Sequence, residues 1–395
     1  MNKPAISPIF AALLAWLEAC CSDPVSSLEY QSTSLSWNKE RWQAAQQEVF
    51  RQGIGPFLFH ELKDRPFFDT FPAEFQEWLA YGYQMNAARL ERLRTNMIEI
   101  LYASNQAGVR VMPLKGFALL QRFYPSMDTR PMADLDLLVP EEDLVGLKAI
   151  LFKLGYQIHG SSGGYANHHK FFPQGDQKVA STSVEHPDNP CPVEVHTEIR
   201  RTLWGSVGEL DLTDFLWKGA KTGEILGQPA WVPEDHRLLE YLACHALGHL
   251  LIHNGRLLQF LDLILLWGKT GSIQKLYYPQ RTYPVLRLAQ RALPAYLLPY
   301  NLSYWQENLP LALQHWADTI PLDSRCGLVV GEAPEHRSRI KLRWERWALT
   351  PHKIALAYGK TWWLAAYIRH LYAMTQHMLQ RLRPDNRPPR LSPRG

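Results

Sequence analysis

The sequence lacks the strong charge or compositional bias that would assign it to a specialised class of protein. Its formal net charge is only +4, and its pI is about 8.7. A charge this small disfavours nucleic acid as the main partner without excluding it. Hydrophobic residues make up 46% and charged residues 20% of the 395 residues, which is typical of a globular protein. We therefore expect two or three folded domains with a substantial core.

The sequence also lacks a hydrophobic run long enough to span a bilayer, and it lacks a paired cysteine motif. The apolar residues 9–17 are too few for a membrane helix and are followed by Glu18, so we predict a packed helix there. Residues 17–20 resemble a lipoprotein cleavage box, but the acidic Glu18 disfavours cleavage. The five cysteines are scattered, which favours a reducing compartment over a disulfide framework. We therefore expect a cytoplasmic protein with no membrane partner.

Changes in hydrophobic periodicity predict three regions and a tail. Residues 1–105 have helical spacing interrupted by turn signals, and they predict an N-terminal helical region. Residues 106–232 alternate strand-like and helix-like segments and predict a small α/β core. Residues 233–380 return to helical spacing, and the arginine- and proline-rich residues 381–395 predict a disordered basic tail. The fold class is therefore α+β, with a small core between N-terminal and C-terminal helical regions.

The predicted core contains short strands and two helices. The segments read as strands are residues 109–113, 135–139, 168–172 and 193–196, and the segments read as helices are residues 116–124 and 141–154. Acidic residues lie at the start of the second helix, where negative charge interacts favourably with the helix dipole. Gly155 is expected to end this helix. These elements would form a single sheet.

Two acidic residues at the second predicted strand are the most informative feature. In a strand, successive side chains point to opposite faces, so Asp134 and Asp136 project together while Leu135 and Leu137 point into the core. Magnesium prefers oxygen ligands and commonly takes one or two carboxylates together with substrate phosphates. We therefore predict that Asp134 and Asp136 are catalytic metal ligands.

Basic residues ahead of this pair could hold the phosphates of a nucleotide. Lys115 and Gly116 end a strand and open a helix, where free backbone N–H groups and the helix dipole favour phosphate. Lys115 adds a point charge, and Gly116 allows close approach to the backbone. Arg130 could clamp a phosphate through its planar guanidinium. We predict that these three residues bind nucleotide.

The other candidates lie on the last two predicted strands. In residues 193–196 the valines face the core, so Glu194 and His196 share the other face. Glu194 is the predicted third carboxylate, either as a metal ligand or as the acceptor of a hydroxyl proton. His196 could orient the acceptor substrate. His168, His169 and Lys170 could reach the cleft as anion contacts or as acid/base groups, and of these His169 and Lys170 are predicted to bind the nucleotide.

Together these motifs resemble the uncharacterised nucleotidyltransferase family of the polymerase-β-like superfamily. The motifs that carry the resemblance are Leu114-Lys115-Gly116, Leu120, Tyr124, Arg130, Asp134 to Val139, Gly155-Tyr156, His169 and Val193 to His196. Residues 42–58 and 236–265 resemble the helical segments of the same family. The resemblance therefore covers about residues 40–270.

The resemblance implies a mixed-sheet nucleotidyltransferase core, two magnesium ions and an NTP donor, and it leaves the acceptor unassigned. It implies that Lys115 and Gly116 take the place of the phosphate loop, and it gives the metal-ligand role to the three acids already named. Two residues depart from the wider superfamily. Phe117 stands where a serine hydroxyl would reach phosphate, and Glu194 stands where an aspartate is common.

We therefore expect a magnesium-dependent nucleotidyltransferase that moves an NMP group from an NTP to a hydroxyl or phosphate acceptor and releases pyrophosphate. The acceptor could be a small molecule, a peptide or a protein. The missing serine leaves open a catalytically idle nucleotide-binding or partner-binding module on the same fold. An RNA-directed transferase that uses the arginine-rich tail is a further alternative.

A separate set of histidines has the spacing of a possible metal site. His245, His249 and His253 are spaced four residues apart and share one face of a predicted helix. This spacing could bind zinc, but no carboxylate lies between them on that face. Packing or hydrogen bonding against the catalytic core is therefore the favoured interpretation.

Overall fold

The computed structural model describes most of the chain. The described residues are 7–21, 36–161, 168–175, 179–180, 184–203, 208–251, 254–270, 276–297, 302–320, 322, 351–359 and 363–382. The predicted basic tail lies outside these ranges from residue 383 onward, and so does His253.

Four α-helices lie among the described N-terminal residues, as the helical spacing predicts. They are α1 (Pro8–Cys21), α2 (Lys39–Gln52), α3 (Gly55–Leu62) and α4 (Ala73–Gln106). Helix α2 begins where the side chain of Asn38 accepts a hydrogen bond from the backbone N–H of Arg41. It ends at Gly53, whose φ of 69° is left-handed and favours glycine. The buried rings of Trp16 and Trp42 stack at 5.9 Å, so these tryptophans serve the core.

A five-stranded mixed sheet forms the centre of the chain and confirms the predicted α+β class. Its strands are β1 (Met112–Pro113), β2 (Leu135–Leu138), β3 (Tyr156–Ser161), β4 (His168–Pro173) and β5 (Val193–His196). Their order is β1-β2-β5-β4-β3, in which β2 and β5 pair parallel and the other three pairs are antiparallel. Helices α5 (Gly116–Phe123) and α6 (Leu144–Lys153) follow β1 and β2.

Two small hairpins and a short helix follow the sheet. They are β6 (Arg200–Arg201), β7 (Leu210–Asp211), α7 (Thr213–Trp217), β8 (Lys221–Ile225) and β9 (Gln228–Val232). The hairpin of β8 and β9 turns at Leu226 and Gly227, whose φ angles are 54° and 75°. The backbone N–H of Trp231 donates a 2.9 Å hydrogen bond to the carbonyl of Val111, which ties this hairpin to the segment entering β1.

The remaining described elements are helices. They are α8 (Asp235–Leu251), α9 (Leu257–Thr270), α10 (Pro279–Ala292), α11 (Pro294–Leu297), α12 (Ser303–Gln306), α13 (Leu311–Thr319), α14 (Pro351–Tyr358) and α15 (Trp363–Leu382). Helix α8 packs against α9, α10 and β6. None of the helices within the described ranges combines the length and apolarity that a bilayer crossing needs. Three described cysteines, Cys20, Cys191 and Cys244, are buried, and none of them is in a disulfide.

Candidate active site

One face of the sheet brings together acidic and basic side chains from three strands. The parallel register of β2 and β5 places Asp136 beside Glu194, and the antiparallel register of β5 and β4 places Glu194 beside Lys170. The neighbouring Leu135 and Val193 point the other way and are buried. A row of two carboxylates and one ammonium therefore crosses the sheet on the side away from its apolar core.

A second row on the same face holds two histidines. His168 of β4 lies opposite His196 of β5, and their rings stack with centroids 4.5 Å apart. The Nε2 atom of His168 lies 3.2 Å from Oε2 of Glu194, and Nε2 of His196 lies 3.4 Å from Oδ1 of Asp136. Each carboxylate of the first row therefore contacts one imidazole.

Two lysines on this face each pair with one of the strand carboxylates. The Nζ atom of Lys115 donates a 2.7 Å hydrogen bond to Oδ1 of Asp136. The Nζ atom of Lys170 donates a 2.7 Å hydrogen bond to Oε1 of Glu194. Both predicted phosphate-binding lysines therefore lie at the site, and each is paired with a predicted metal-ligand carboxylate.

The backbone at Lys115 is strained. Its φ of 48° and ψ of −114° form a combination that residues with a Cβ rarely adopt. The N–H of Leu114 donates a 2.9 Å hydrogen bond to the carbonyl of Asp136, which fixes the preceding residue against β2. Strain of this kind persists where surrounding contacts enforce it, and it is concentrated at functional sites.

Gly116 begins helix α5, as predicted, and it is also tightly packed. A Cβ atom built on Gly116 would overlap the Sδ atom of Met132, a buried residue in the segment before β2. Close approach of Met132 is thus one structural reason for glycine at this position, besides the predicted approach of a nucleotide.

The pKa values of the two aspartates shift in opposite directions. Burial, together with the charges of Asp136 and Glu194, raises the pKa of Asp134 to about 6, although Lys115 opposes this shift. Burial also disfavours the Asp136 carboxylate, but the charges and hydrogen bonds of Lys115 and His196 outweigh burial and hold its pKa well below the ordinary range. Asp134 is therefore the acid whose charge is least compensated.

Glu194 is held in its ionised form. The hydrogen bond from His168, followed by that from Lys170, lowers the pKa of Glu194 to about 2. One ligand atom from each of His168, Glu194 and His196 lies within 4.8 Å of the others, so these residues could hold a metal ion. Carboxylate oxygens suit magnesium and manganese, and imidazole nitrogens also suit zinc and other transition metals.

Arg130, a predicted phosphate contact, is occupied by an internal partner. Its Nε and Nη2 atoms donate hydrogen bonds of 2.7 and 2.8 Å to the two carboxylate oxygens of Asp262 on α9. The hydroxyl of Tyr124 donates a 2.6 Å hydrogen bond to the same carboxylate. Because this buried guanidinium already makes a bidentate pair, we assign Arg130 a positioning role that ties the segment before β2 to α9.

His169 lies on the other face of the sheet. It pairs with the buried Val195, whereas His168 and Lys170 pair with His196 and Glu194. Burial lowers the pKa of His169, and the nearby charge of Lys148 on α6 lowers it further, which is consistent with this placement. The structure therefore places His168, and not His169, on the face of Glu194 where His169 was expected to bind the nucleotide.

Two solved structures are similar to parts of this chain. The crystal structure of ANT(2")-Ia in complex with adenylyl-2"-tobramycin is 14% identical, with a TM-score of 0.30, over 53% of this chain and 98% of that chain. The crystal structure of an antigenic nucleotidyltransferase-like protein from Paracoccidioides brasiliensis is 13% identical, with a TM-score of 0.32, over 55% of this chain and 93% of that chain. None of the curated proteins matches the chain.

The family comparison covers more of the sequence. A family model described as "Uncharacterised nucleotidyltransferase" matches residues 38–281, which is more than half of the chain. The matched range includes the whole five-stranded sheet and both α8 and α9. The chain therefore belongs to the uncharacterised nucleotidyltransferase family.

Proposed function

We propose that the chain is a magnesium-dependent enzyme that transfers an NMP group from an NTP to a hydroxyl or phosphate acceptor and releases pyrophosphate. The observation that carries the proposal is the side-by-side placement of Asp136 and Glu194 on adjacent parallel strands. Asp134 precedes the first of these strands by one residue, and the charges of both acids act on it. Lys115 and Lys170 flank the acids within hydrogen-bond distance.

The residues of this face fit a divalent cation. The raised pKa of Asp134 reflects burial and the negative charges of Asp136 and Glu194. Carboxylates that lie close together raise one another's pKa values. A bound cation would stabilise their ionised forms. Asp134, Asp136 and Glu194 supply the hard oxygen atoms that magnesium prefers, and they would hold it. A bound magnesium ion supplies charge neutralisation at the phosphates and activation of the attacking oxygen.

Glu194 is better suited to a ligand role than to proton transfer. A general base works best when its pKa lies near the working pH. Its hydrogen bonds with His168 and Lys170 lower the pKa of Glu194 to about 2, so this carboxylate is a weak proton acceptor. Of the two roles that the sequence leaves open for Glu194, we therefore favour metal binding.

The two lysines are positioned to bind phosphate. Lys115 and Lys170 pair with the predicted ligand carboxylates, and each is a point charge with three rotatable donors. If those carboxylates bind a cation, both ammonium groups become available to donate hydrogen bonds to the phosphate oxygens of the donor. The N–H groups of the first turn of α5, at Gly116 and beyond, add donors and a favourable dipole.

The test is pyrophosphate release from each NTP with magnesium. Asp136→Asn combined with Asp134→Asn should reduce the rate at least 100-fold, because the metal ligands act as a unit. Asp143→Asn is the matched control, since Asp143 pairs with Arg110 away from this face. Unchanged magnesium-dependent NTP consumption in the double variant, with a folded protein by circular dichroism, would make the proposal wrong.

A second candidate is a nucleotide-binding module without turnover. Two observations favour it: Phe117 replaces the serine common in the wider superfamily, and both strand carboxylates are already neutralised by lysines. Calorimetric titration with NTP and magnesium, followed by product analysis, separates the candidates. A binder would show affinity without pyrophosphate, whereas an enzyme would release it.

The acceptor and the cytoplasmic location stay predictions. Incubating the protein with each labelled NTP and a host extract of metabolites and proteins would show which acceptor takes the label. Transfer to one purified class of molecule would assign the acceptor and the donor in the same experiment. A signal that disappears in the Asp134→Asn, Asp136→Asn double variant would link that transfer to this site.

A further inference from the structure

Helix α8 presents a polar face with open space beside it. From Arg237 to Leu250 the helix is buried except at His245, Gly248 and His249, which are partly exposed. A Cβ atom built on Gly248 would meet nothing within 4 Å. Tyr241, His245 and His249 follow one another at four-residue spacing and so share one face of the helix. The imidazole rings of the two histidines lie 4.6 Å apart.

The charge of Lys115, a residue of the proposed active site, acts on this face. Burial raises the pKa of Tyr241, and the charge of Lys115 opposes that shift. Burial lowers the pKa of His245 well below its ordinary value, and the charges of Lys115 and Arg201 lower it further. The same Lys115 donates the hydrogen bond to the carboxylate of Asp136, so its charge acts on both groups.

Arg201 completes this face from strand β6. Alternation along the strand separates it from Arg200, which is exposed and forms ion pairs with Glu198, Glu209 and Asp211. The guanidinium carbon of Arg201 instead lies 5.9 Å from the centre of the Tyr241 ring. Within the described part of the chain Arg201 forms no ion pair, and its buried Nε atom has no acceptor.

Two fully buried arginines of this protein find internal acceptors for their terminal nitrogens, although the Nε atom of Arg89 has none. Arg89 donates to the carbonyls of Ala133 and Pro190, and Arg281 donates to those of Gly208 and Leu356. Arg201 has no such acceptor among the described residues, and the buried Nδ1 atom of His249 also lacks a partner there. A buried donor without an acceptor is costly, so an arginine in this state is suited to an anionic ligand.

We propose that Arg201, Tyr241, His245 and His249 form a phosphate-binding subsite on the polar face of α8. Arg201 supplies the positive charge and a planar set of donors, as in bidentate recognition of phosphate. The neutral imidazoles and the tyrosine hydroxyl supply further donors, and the open space beside Gly248 admits the ligand. The phosphate belongs either to the pyrophosphate part of the donor or to a phosphorylated acceptor. The choice of a phosphate ligand rests on the proposed function.

Calorimetric titration of the full chain with inorganic pyrophosphate, in the presence of EDTA, tests the subsite. Arg201→Ala should weaken binding about ten- to hundredfold, because charge-assisted hydrogen bonds are lost. Arg201→Lys should weaken it less, since the charge remains but the planar fork is lost. Arg200→Ala is the matched control and should change the affinity less than twofold. Equal effects of Arg201→Ala and Arg200→Ala would overturn the proposal.

His249→Ala gives a second test that does not remove a charge. It should weaken pyrophosphate binding several-fold, because the neutral imidazole supplies a donor without carrying the main charge. Thermal unfolding of each variant shows whether a loss of affinity reflects a loss of folding. If His249→Ala and Arg201→Lys both keep the original affinity in folded protein, the subsite is absent.

The source of the phosphate follows from two further titrations. If the subsite holds the donor, Arg201→Ala weakens the binding of ATP but not of AMP, and pyrophosphate competes with ATP. If it holds an acceptor, Arg201→Ala leaves ATP affinity unchanged, and pyrophosphate binds to protein saturated with ATP. Either pattern supports the subsite, whereas loss of both ATP and AMP affinity would indicate a general disruption and overturn it.

The subsite and the proposed function can fail separately. If the protein binds pyrophosphate through Arg201 but consumes no NTP, the subsite is supported and the proposed enzymatic function is contradicted. If the protein consumes NTP with magnesium but Arg201→Ala changes neither pyrophosphate binding nor the KM for NTP, the enzymatic function is supported and the subsite is contradicted.

Discussion

Lys115 and Asp136 form a buried ion pair, in which Nζ of the lysine lies 2.7 Å from Oδ1 of the aspartate. Burial lowers the pKa of Lys115, but the charge of Asp136 outweighs burial and the net shift is upward. The side chains are 19% and 4% exposed, so solvent screens the pair little. The lysine therefore stabilises an aspartate that would otherwise be buried without compensation.

Lys115→Met should destabilise the fold by about 3–5 kcal/mol near neutral pH, because it leaves the Asp136 carboxylate buried and without its main partner. In the original chain the pKa of Asp136 is lowered, so its stabilising contribution is present above about pH 4 and is lost as the pH falls. In the variant burial should raise that pKa, so stability should instead increase as the pH falls. Urea unfolding at several pH values measures both slopes.

The magnesium response of Lys115→Met provides a control. If Asp136 binds magnesium, the cation should raise the melting temperature of the variant more than that of the original chain, since it replaces the missing ammonium charge. Lys115→Met with Asp136→Asn should recover part of the lost stability and should lose this magnesium response. An equal response in all three proteins would contradict metal binding at Asp136.

Arg130→Ala should also act through stability. It leaves the Asp262 carboxylate buried without its bidentate partner, and the expected cost is about 3–5 kcal/mol. Asp262→Ala should cost a similar amount, and the double variant should cost less than the sum because the two residues form one interaction. Denaturant unfolding of the four proteins measures this coupling. An Arg130→Ala variant with unchanged stability and weaker NTP binding would restore its predicted role as a phosphate contact.

Local alternation predicts the strand carboxylates because each acid has apolar neighbours that define the core face. Asp136 lies between Leu135 and Leu137, and Glu194 lies between Val193 and Val195, so the face of each acid follows from the sequence. Their adjacency does not follow, because it depends on the parallel register of β2 and β5. That register is a property of the assembled sheet, which no local pattern specifies.

Other features depend on long-range contacts or weak local signals. The partner of Arg130 is Asp262, which lies 132 positions later and could not be chosen from the sequence. The hairpin of β8 and β9 turns at Leu226 with a φ of 54°, where glycine, asparagine or aspartate is the usual turn signal. Because Phe171 and Phe172 are both aromatic, the sequence does not indicate which of them faces the core, and so which face of β4 carries His168 and Lys170. Phe171 is fully buried, so it sets the phase.

Glu240 should give the folded protein a measurable pH dependence. Burial raises its pKa to about 7, although the N–H groups of Tyr277 and Tyr278 donate hydrogen bonds to it and oppose the shift. The folded state thus holds a proton that the unfolded state releases between about pH 4.5 and 7, so this group lowers stability as the pH rises through that range.

Glu240→Gln should remove that dependence. From the shift in pKa, the difference between pH 4.5 and pH 7.5 is of order 3 kcal/mol. The variant also loses one acceptor for a backbone N–H, which should cost about 1–3 kcal/mol at low pH. Guanidinium unfolding of both proteins across this range compares the slopes, and the contributions of other titrating groups cancel. Parallel slopes would contradict a raised pKa at Glu240.

His168 and His169 are neighbours with opposite expected roles. His168 contacts Glu194 on the face of the strand carboxylates, whereas His169 lies on the other face near Lys148. His168→Ala should weaken the binding of manganese about 10–100-fold, because residues that ligate a metal or orient its ligands contribute this much to affinity. His169→Ala should change it less than twofold.

Titration with manganese measures both affinities without requiring turnover, and cobalt absorption reports whether nitrogen ligands are present. Each variant is the matched control for the other, since both substitutions remove a histidine side chain from the same strand. A loss of metal affinity in His169→Ala, with His168→Ala unaffected, would place His169 on the face of the strand carboxylates and contradict the register of β4. The register of β4 against β5 argues for the opposite result, because it places His168 beside His196 and Lys170 beside Glu194.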